Sequence, residues 1–299
     1  MEVKGIITAM VTPFDNNQNI DGNATRQLVN KLINSGVSGI FILGTNGEFH
    51  LVTNDEKVAF AKVVIDEVNK RVPVYVGTGG NSTREAVALS QKMEELGADA
   101  LSVITPYFLV PSQREVLQHY TAIAEAVSIP VVLYNIPKHT GINLEPETVK
   151  ELAKIKNIVA IKDSSGKLDN MEKYIKVTAE EEFAVLSGSD SLILPALKIG
   201  AAGAIAATSN LIPEIDVSIY EYFIKGELEK AAKAQQEIEV LRAVLKLGTV
   251  PSILKKAVQL SGIPVGPARL PVAEPGEEVI GKIREVLEYY QGREIKFHC

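Results

Sequence analysis

The chain has one cysteine in 299 residues, Cys299, and it stands last. A lone cysteine cannot close an internal disulfide, and a reducing, cytoplasmic setting fits. Basic runs are lacking as well. The net charge is −6, so no nucleic-acid partner is expected. No apolar run approaches the roughly 18 residues needed to span a bilayer. The start, MEVKGIITAMVTPF, has no charged segment followed by a long apolar stretch, so neither a membrane partner nor a signal peptide is expected. The four histidines, His50, His119, His139 and His298, are scattered without ligand-like spacing, so no metal is expected. His50 and His119 read as surface or interface residues. Walker A and GxGxxG sequences are missing, and GTGGN before Ser82 reads as a plain tight turn.

What is present is an ordinary globular composition, 46% hydrophobic and 23% charged, with strand and helix patterns in alternation. Strands are expected at 5–14, 37–43, 72–76, 98–105, 129–134, 158–161 running into Lys162, 183–187 and 203–207. Helices are expected at 22–35, from the cap Thr53 to 70, from Ser82 to 96, from Ser112 to 127, and at 146–155, 191–199 and 214–225. Glycines before strands, in NSGVSG, ELGADA and KIGAAG, are the expected helix ends. Eight such units in succession spell an α/β fold, a (β/α)8 (TIM) barrel. After Gly226 only helices are expected, at 227–247, 251–260 and 277–291. The division is therefore a catalytic barrel at 1–225 and, with no linker, a three-helix extension at 226–299 packed on it.

Reacting groups of such barrels lie at the C-terminal ends of the strands. The polar residues there are Thr12, Thr45, Asn46, Glu48, Tyr107, Tyr134, Asn135, Lys162, Ser187, Asp190 and Thr208. Lys162 is the only lysine among them. A desolvated amine of lowered pKa can attack a carbonyl and form a Schiff base; otherwise a strand-end lysine reaches solvent or pairs with its neighbour Asp163. Tyr134 ends the adjacent strand, where a phenol can move the protons of imine formation, or can be a core aromatic with a satisfied hydroxyl. Thr45 could orient that phenol. The Gly44 to Gly47 amides could form a nest for a carboxylate, or the glycines could serve loop geometry alone.

The segments GTNGE, TPYF, YNIPKHTG, IKDSSG, LSGSD and GAIAATSN, in this order and spacing, carry a family likeness. The chain resembles the dihydrodipicolinate synthase and N-acetylneuraminate lyase family of class I, pyruvate-dependent aldolases over almost its whole length. The resemblance implies that Lys162 forms the imine with pyruvate or a 2-oxo acid, that Tyr134 transfers protons and that Thr45 assists. It implies substrate contacts at Thr45, Asn46, Gly47, His139, Gly188, Asp190 and Ile205. It also implies no cofactor beyond the lysine imine, and a homotetramer, a dimer of dimers, with the Tyr107–Phe108 loop at an interface near the site.

Departures from the family pattern bear on the substrate. Dihydrodipicolinate synthases carry two threonines where this chain has Thr45 and Asn46, a tyrosine at Phe108, and at His139 an arginine that grips the aldehyde partner's carboxylate. Histidine cannot reproduce a bidentate guanidinium clamp. GTNGE is more similar to the branches acting on 4-hydroxy-2-oxo acids and 2-keto-3-deoxy sugar acids. The expected activity is therefore a lyase that cleaves or forms such a 2-oxo acid, giving pyruvate and an aldehyde. The alternative is 4-hydroxy-tetrahydrodipicolinate synthase, condensing pyruvate with aspartate semialdehyde. An alternative of another class is a non-catalytic barrel that binds a 2-oxo acid.

Overall fold

A computed structural model describes residues 2–293; the expectations for Cys299 and His298 lie outside the described residues. Eight parallel strands close in chain order: β1 (Gly5–Ala9), β2 (Gly39–Ile42), β3 (Val74–Gly77), β4 (Ala100–Ile104), β5 (Val131–Asn135), β6 (Ile158–Asp163), β7 (Ala184–Ser187) and β8 (Gly203–Ala206). Strand β8 pairs back to β1 with Gly5 opposite Gly203, which completes the (β/α)8 barrel. Around it run α1 (Gly22–Asn34), α2 (Asn54–Val68), α3 (Thr83–Glu95), α4 (Gln113–Glu125), α5 (Pro137–Thr140), α6 (Pro146–Ala153), α7 (Leu168–Val177), α8 (Ile193–Lys198) and α9 (Pro213–Ile224). Three helices follow: α10 (Leu228–Leu245), α11 (Ser252–Leu260) and α12 (Glu277–Gln291).

Strands buried on both faces need no polar alternation, and runs such as Val131–Leu133 are fully buried. Helix starts follow the caps read from sequence. Thr53 and Ser112 form capping boxes with Glu56 and Glu115, and Ser82 accepts from the Glu85 amide. The three glycines before strands, Gly36, Gly97 and Gly200, end their helices at φ of +82°, +91° and +102°.

Several expectations need correction. Strand β1 stops at Ala9 rather than Phe14, because the Met10 amide turns back on Thr8 while bonding Phe41, and Pro13 has no N–H to give. Helix α7 was not expected, although Met171 and Tyr174 bury one of its faces; α5 was not expected either. His119 is not a surface residue. It is buried beside α3, with Nδ1 2.8 Å from Thr83 Oγ1, and burial lowers its pKa. Tyr290 is fully buried, its hydroxyl donating to Glu237 O at 2.8 Å.

Candidate active site

Strands β5 and β6 pair Tyr134 with Lys162 and Asn135 with Asp163. Side chains alternate along a strand, so these two pairs face opposite sides of the barrel wall. On the helix side, Asp163 Oδ1 accepts from Asn135 Nδ2 at 2.7 Å and Asn170 Nδ2 at 3.1 Å, and Oδ2 accepts from Ser165 Oγ at 2.6 Å. Burial raises the Asp163 pKa against the pull of those bonds. This network fixes the register that sets Tyr134 beside Lys162 on the inner side.

Lys162 is 3% exposed. Its Nζ lies 4.1 Å from the ring centre of Tyr134 and 5.0 Å from that of Phe41 on β2. Among the described residues no carboxylate or hydrogen-bond acceptor takes this amine; the pairing with Asp163 considered from sequence is not formed, because the two side chains face opposite ways. Tyr134 Oη is 3.0 Å from Thr45 Oγ1. Gly188 leaves the lysine stem its space, since a Cβ there would stand 3.0 Å from Lys162 Cε and would collide with Ser164 Oγ.

The loop after β2 carries Thr45, Asn46, Gly47 and Glu48. Among the described residues the amides of Thr45, Asn46 and Gly47 donate to no protein acceptor, which leaves them free for an anion. Thr12 Oγ1 donates to Gly47 O at 2.7 Å. Glu48 sits at φ +55°, a conformation uncommon for its residue type, and its carboxylate is held on both oxygens. Oε1 accepts from Lys255 Nζ of α11 at 3.0 Å, and Oε2 from the Arg269 amide at 2.7 Å. Lys255 also donates to Thr12 O at 2.8 Å; burial drags its pKa to about 8 despite the Glu48 charge.

A cavity of about 570 Å³ opens over this arrangement, lined among others by Thr45, Asn46, Tyr134, Lys162, Gly188 and Ile205 and also by His139 and Asp190. Gly47, Tyr107 and Phe108 do not line it. Tyr107 packs edge-on against Phe49 at 6.0 Å, and Phe108 is 89% exposed. Asp190 accepts from the Ala207 and Thr208 amides at 3.0 and 3.2 Å, so its carboxylate serves the fold. Partial burial, then Lys138 and His50, lower the His139 pKa. Sequence reasoning missed Lys138, Arg242 and Lys246, which also line the cavity. The four-residue spacing of the last two was the available sign, but it does not say which surface they face. A larger cavity of about 1050 Å³ lies at the other end of the barrel, near Val3, Pro130 and Phe183, and holds none of the site residues. Among the described residues no group of three His, Cys, Asp or Glu side chains could hold a metal ion.

An amine without a counter-ion, a phenol ring beside it and the unengaged amides of Thr45 and Asn46 together suit a carboxylate next to a condensing carbonyl. The sequence matches the dihydrodipicolinate synthetase family over residues 2–289. The chain belongs to that family. It is 42% identical over 272 residues, 91% of this chain and 92% of the relative, to 4-hydroxy-tetrahydrodipicolinate synthase 1 of Halalkalibacterium halodurans. The crystal structure of dihydrodipicolinate synthase DapA-2 from Bacillus anthracis superposes with a TM-score of 0.93 at 41% identity, covering 96% of this chain and 98% of that one. YagE, a family member from E. coli K12 solved in complex with pyruvate, superposes with a TM-score of 0.93 at 33% identity, covering 97% and 99%. Enzymes of this family are lyases that work through a lysine imine with pyruvate and need no external cofactor.

Proposed function

We propose that Lys162 condenses with the C2 carbonyl of pyruvate and that the resulting enamine adds to the aldehyde carbon of aspartate semialdehyde, the reaction of a 4-hydroxy-tetrahydrodipicolinate synthase. The observation that carries the reading is the buried Lys162 amine over the Tyr134 ring, with Tyr134 Oη 3.0 Å from Thr45 Oγ1. The names of the relatives at about 40% identity support the choice of second substrate.

The free amine attacks C2 and the pyruvyl carboxylate takes the amides of Thr45 and Asn46. Tyr134 protonates the leaving hydroxyl as water departs, and Thr45 holds the phenol for that transfer. The iminium withdraws electrons, so C3 loses a proton, and the enamine carbon forms the new C–C bond while the aldehyde oxygen takes a proton. The acceptor's amine then displaces Lys162 from the imine and closes the ring. Gly188 and Ile205 shape the pyruvyl pocket, and His139 and Asp190 stand on the acceptor side. Cytoplasmic action and a homotetramer with Tyr107 and Phe108 at an interface complete the proposal.

Borohydride reduction in the presence of pyruvate is the first test. A covalent adduct on Lys162, absent in Lys162→Ala, is expected, and Tyr134→Phe should lower kcat roughly 10²- to 10³-fold. No adduct in the unaltered chain would leave a barrel that binds without catalysis. A second reading is favoured by Asn46, His139 and the exposed Phe108: cleavage of a 4-hydroxy-2-oxo acid or a 2-keto-3-deoxy sugar acid through the same imine. Pyruvate release from 2-keto-3-deoxygluconate or 4-hydroxy-2-oxoglutarate, without condensation of aspartate semialdehyde, decides for it.

A further inference from the structure

The wall of the 570 Å³ cavity is strongly one-signed in a chain whose net charge is −6. Its cations are Lys138, Lys162, Arg242 and Lys246, and its one carboxylate is Asp190. Asp190 is 2% exposed, bound to two backbone amides, and 3.7 Å from Arg242 Nη1. Arg242 is thereby largely compensated, and Lys162 is the group that reacts. Lys138 and Lys246 remain. Among the described residues neither meets a carboxylate, whereas Lys173, Lys225 and Lys282 on outer helices each pair with one.

These two cations reach the mouth from separate elements that the fold pins in place. Lys138 stands on α5, next to the strand end that carries Tyr134. Lys246 caps α10, which is tied to the loop after β7 because Gln235 Nε2 donates to Asp190 O at 2.9 Å and Gln235 Oε1 accepts from the Leu194 amide at 2.8 Å. On the same cavity lining, His139 is held toward its neutral form by partial burial and by Lys138 itself. The Thr45 and Asn46 amides of the loop after β2 already provide for the carboxylate beside the reacting carbonyl. Positive charge beyond that point faces the other half of the substrate.

We propose that Lys138 and Lys246 form a second anion subsite, which binds a carboxylate or phosphate on the aldehyde partner. The subsite rests on the imine chemistry proposed above and narrows it. Acceptors that carry a carboxylate, such as aspartate semialdehyde, fit, and so does the cleavage of 4-hydroxy-2-oxoglutarate; the neutral aldehyde of a 2-keto-3-deoxy sugar acid leaves both lysines unused. Exposed cations of this kind also attract an anionic substrate at a rate that salt suppresses.

The test compares the full-length unaltered chain with Lys138→Ala, Lys246→Ala and the double variant. Acceptors are aspartate semialdehyde, glyceraldehyde 3-phosphate and neutral glyceraldehyde, each with pyruvate. In the double variant, kcat/KM for the charged acceptor that the unaltered chain uses should fall roughly tenfold or more, mainly through KM. Turnover of the neutral aldehyde should change little, and Lys→Arg replacements should restore the charged substrate. Added salt should weaken the unaltered chain and leave the double variant nearly unmoved. Preference for the semialdehyde identifies a carboxylate, and preference for the phosphate ester identifies a phosphate. Equal losses on charged and neutral acceptors, or no loss on either, would overturn the subsite. Borohydride adduct formation with pyruvate separates the two levels: its failure in the unaltered chain removes the imine reading, whereas its success with no acceptor effect removes only the subsite.

Discussion

At the scale of single residues, a carboxyl group sealed from water with one oxygen unpartnered is most stable when it keeps its proton. Asp216, in the first turn of α9, is such a group. It is fully buried; Oδ1 accepts from Thr208 Oγ1 at 2.8 Å, and Oδ2 has no partner among the described residues. Burial first, then the nearby Asp190 charge, raise its pKa well above the ordinary carboxylate value. The folded chain therefore holds a proton that the unfolded chain has released, so stability falls as pH rises from the unfolded value toward the folded one. One such proton contributes a slope of up to about 1.4 kcal/mol per pH unit. Asp216→Asn should flatten the decline in denaturation midpoint from about pH 4 upward, and parallel pH profiles for variant and unaltered chain would refute the assignment. Nothing in the string PEID distinguishes Asp216 from its exposed neighbour Glu214. Lys162 and Tyr134 were legible for the opposite reason: both end β-branched runs, and in a barrel the strand end is where a side chain meets substrate.

Among the elements, α11 and the segment after it act on the loop that carries Thr45 and Asn46. Lys255 reaches across to Glu48, Arg269 binds Glu56 at the start of α2, and both cations stand 4.3 Å from the Phe14 ring centre. The Arg269 hydrogen bonds are the main reason that the Glu56 pKa drops to about 2. Lys255→Met should strand the Glu48 carboxylate in a dry site. The expected result is a loss of about 3–5 kcal/mol in urea denaturation, with a raised KM for pyruvate as the loop loosens. Adding Glu48→Gln should recover part of the stability, because the uncompensated charge is then gone. Unchanged stability in the single variant would show that the Arg269 amide alone suffices. The order of eight strands was legible because each is a short apolar run between turn residues. The docking of α10 and α11 was not, since an apolar stripe says that a helix buries one face and not what it meets. Helix α7 escaped because it starts at Lys167 without a side-chain cap, so no start signal marks LDNMEKYIKV.

On the scale of the whole molecule, the loop after β4 exposes three consecutive apolar residues: Phe108 at 89%, Leu109 at 77% and Val110 at 61%. Phe108 also holds a left-handed backbone, φ +77°. Single exposed apolar side chains are ordinary, but a run of three lifted off the surface gains free energy by meeting another surface. Leu247 and Val250, at 44% and 47%, lie beyond α10, Val250 on the lining of the 570 Å³ cavity, and offer no comparable run. A second copy of this chain is the partner that is always present, and symmetric association buries the same patch twice. Sedimentation velocity should therefore find a species heavier than the 32.4 kDa chain. The pair Phe108→Asp and Leu109→Asp should shift the distribution toward that chain mass without lowering the denaturation midpoint of the separated barrel, because neither side chain packs within its own chain. Tyr107 leans on Phe49 just behind the site loop, so dissociation should also reduce turnover more than it reduces borohydride trapping of pyruvate. A single 32.4 kDa species in the unaltered chain would mean that the run serves something other than self-association.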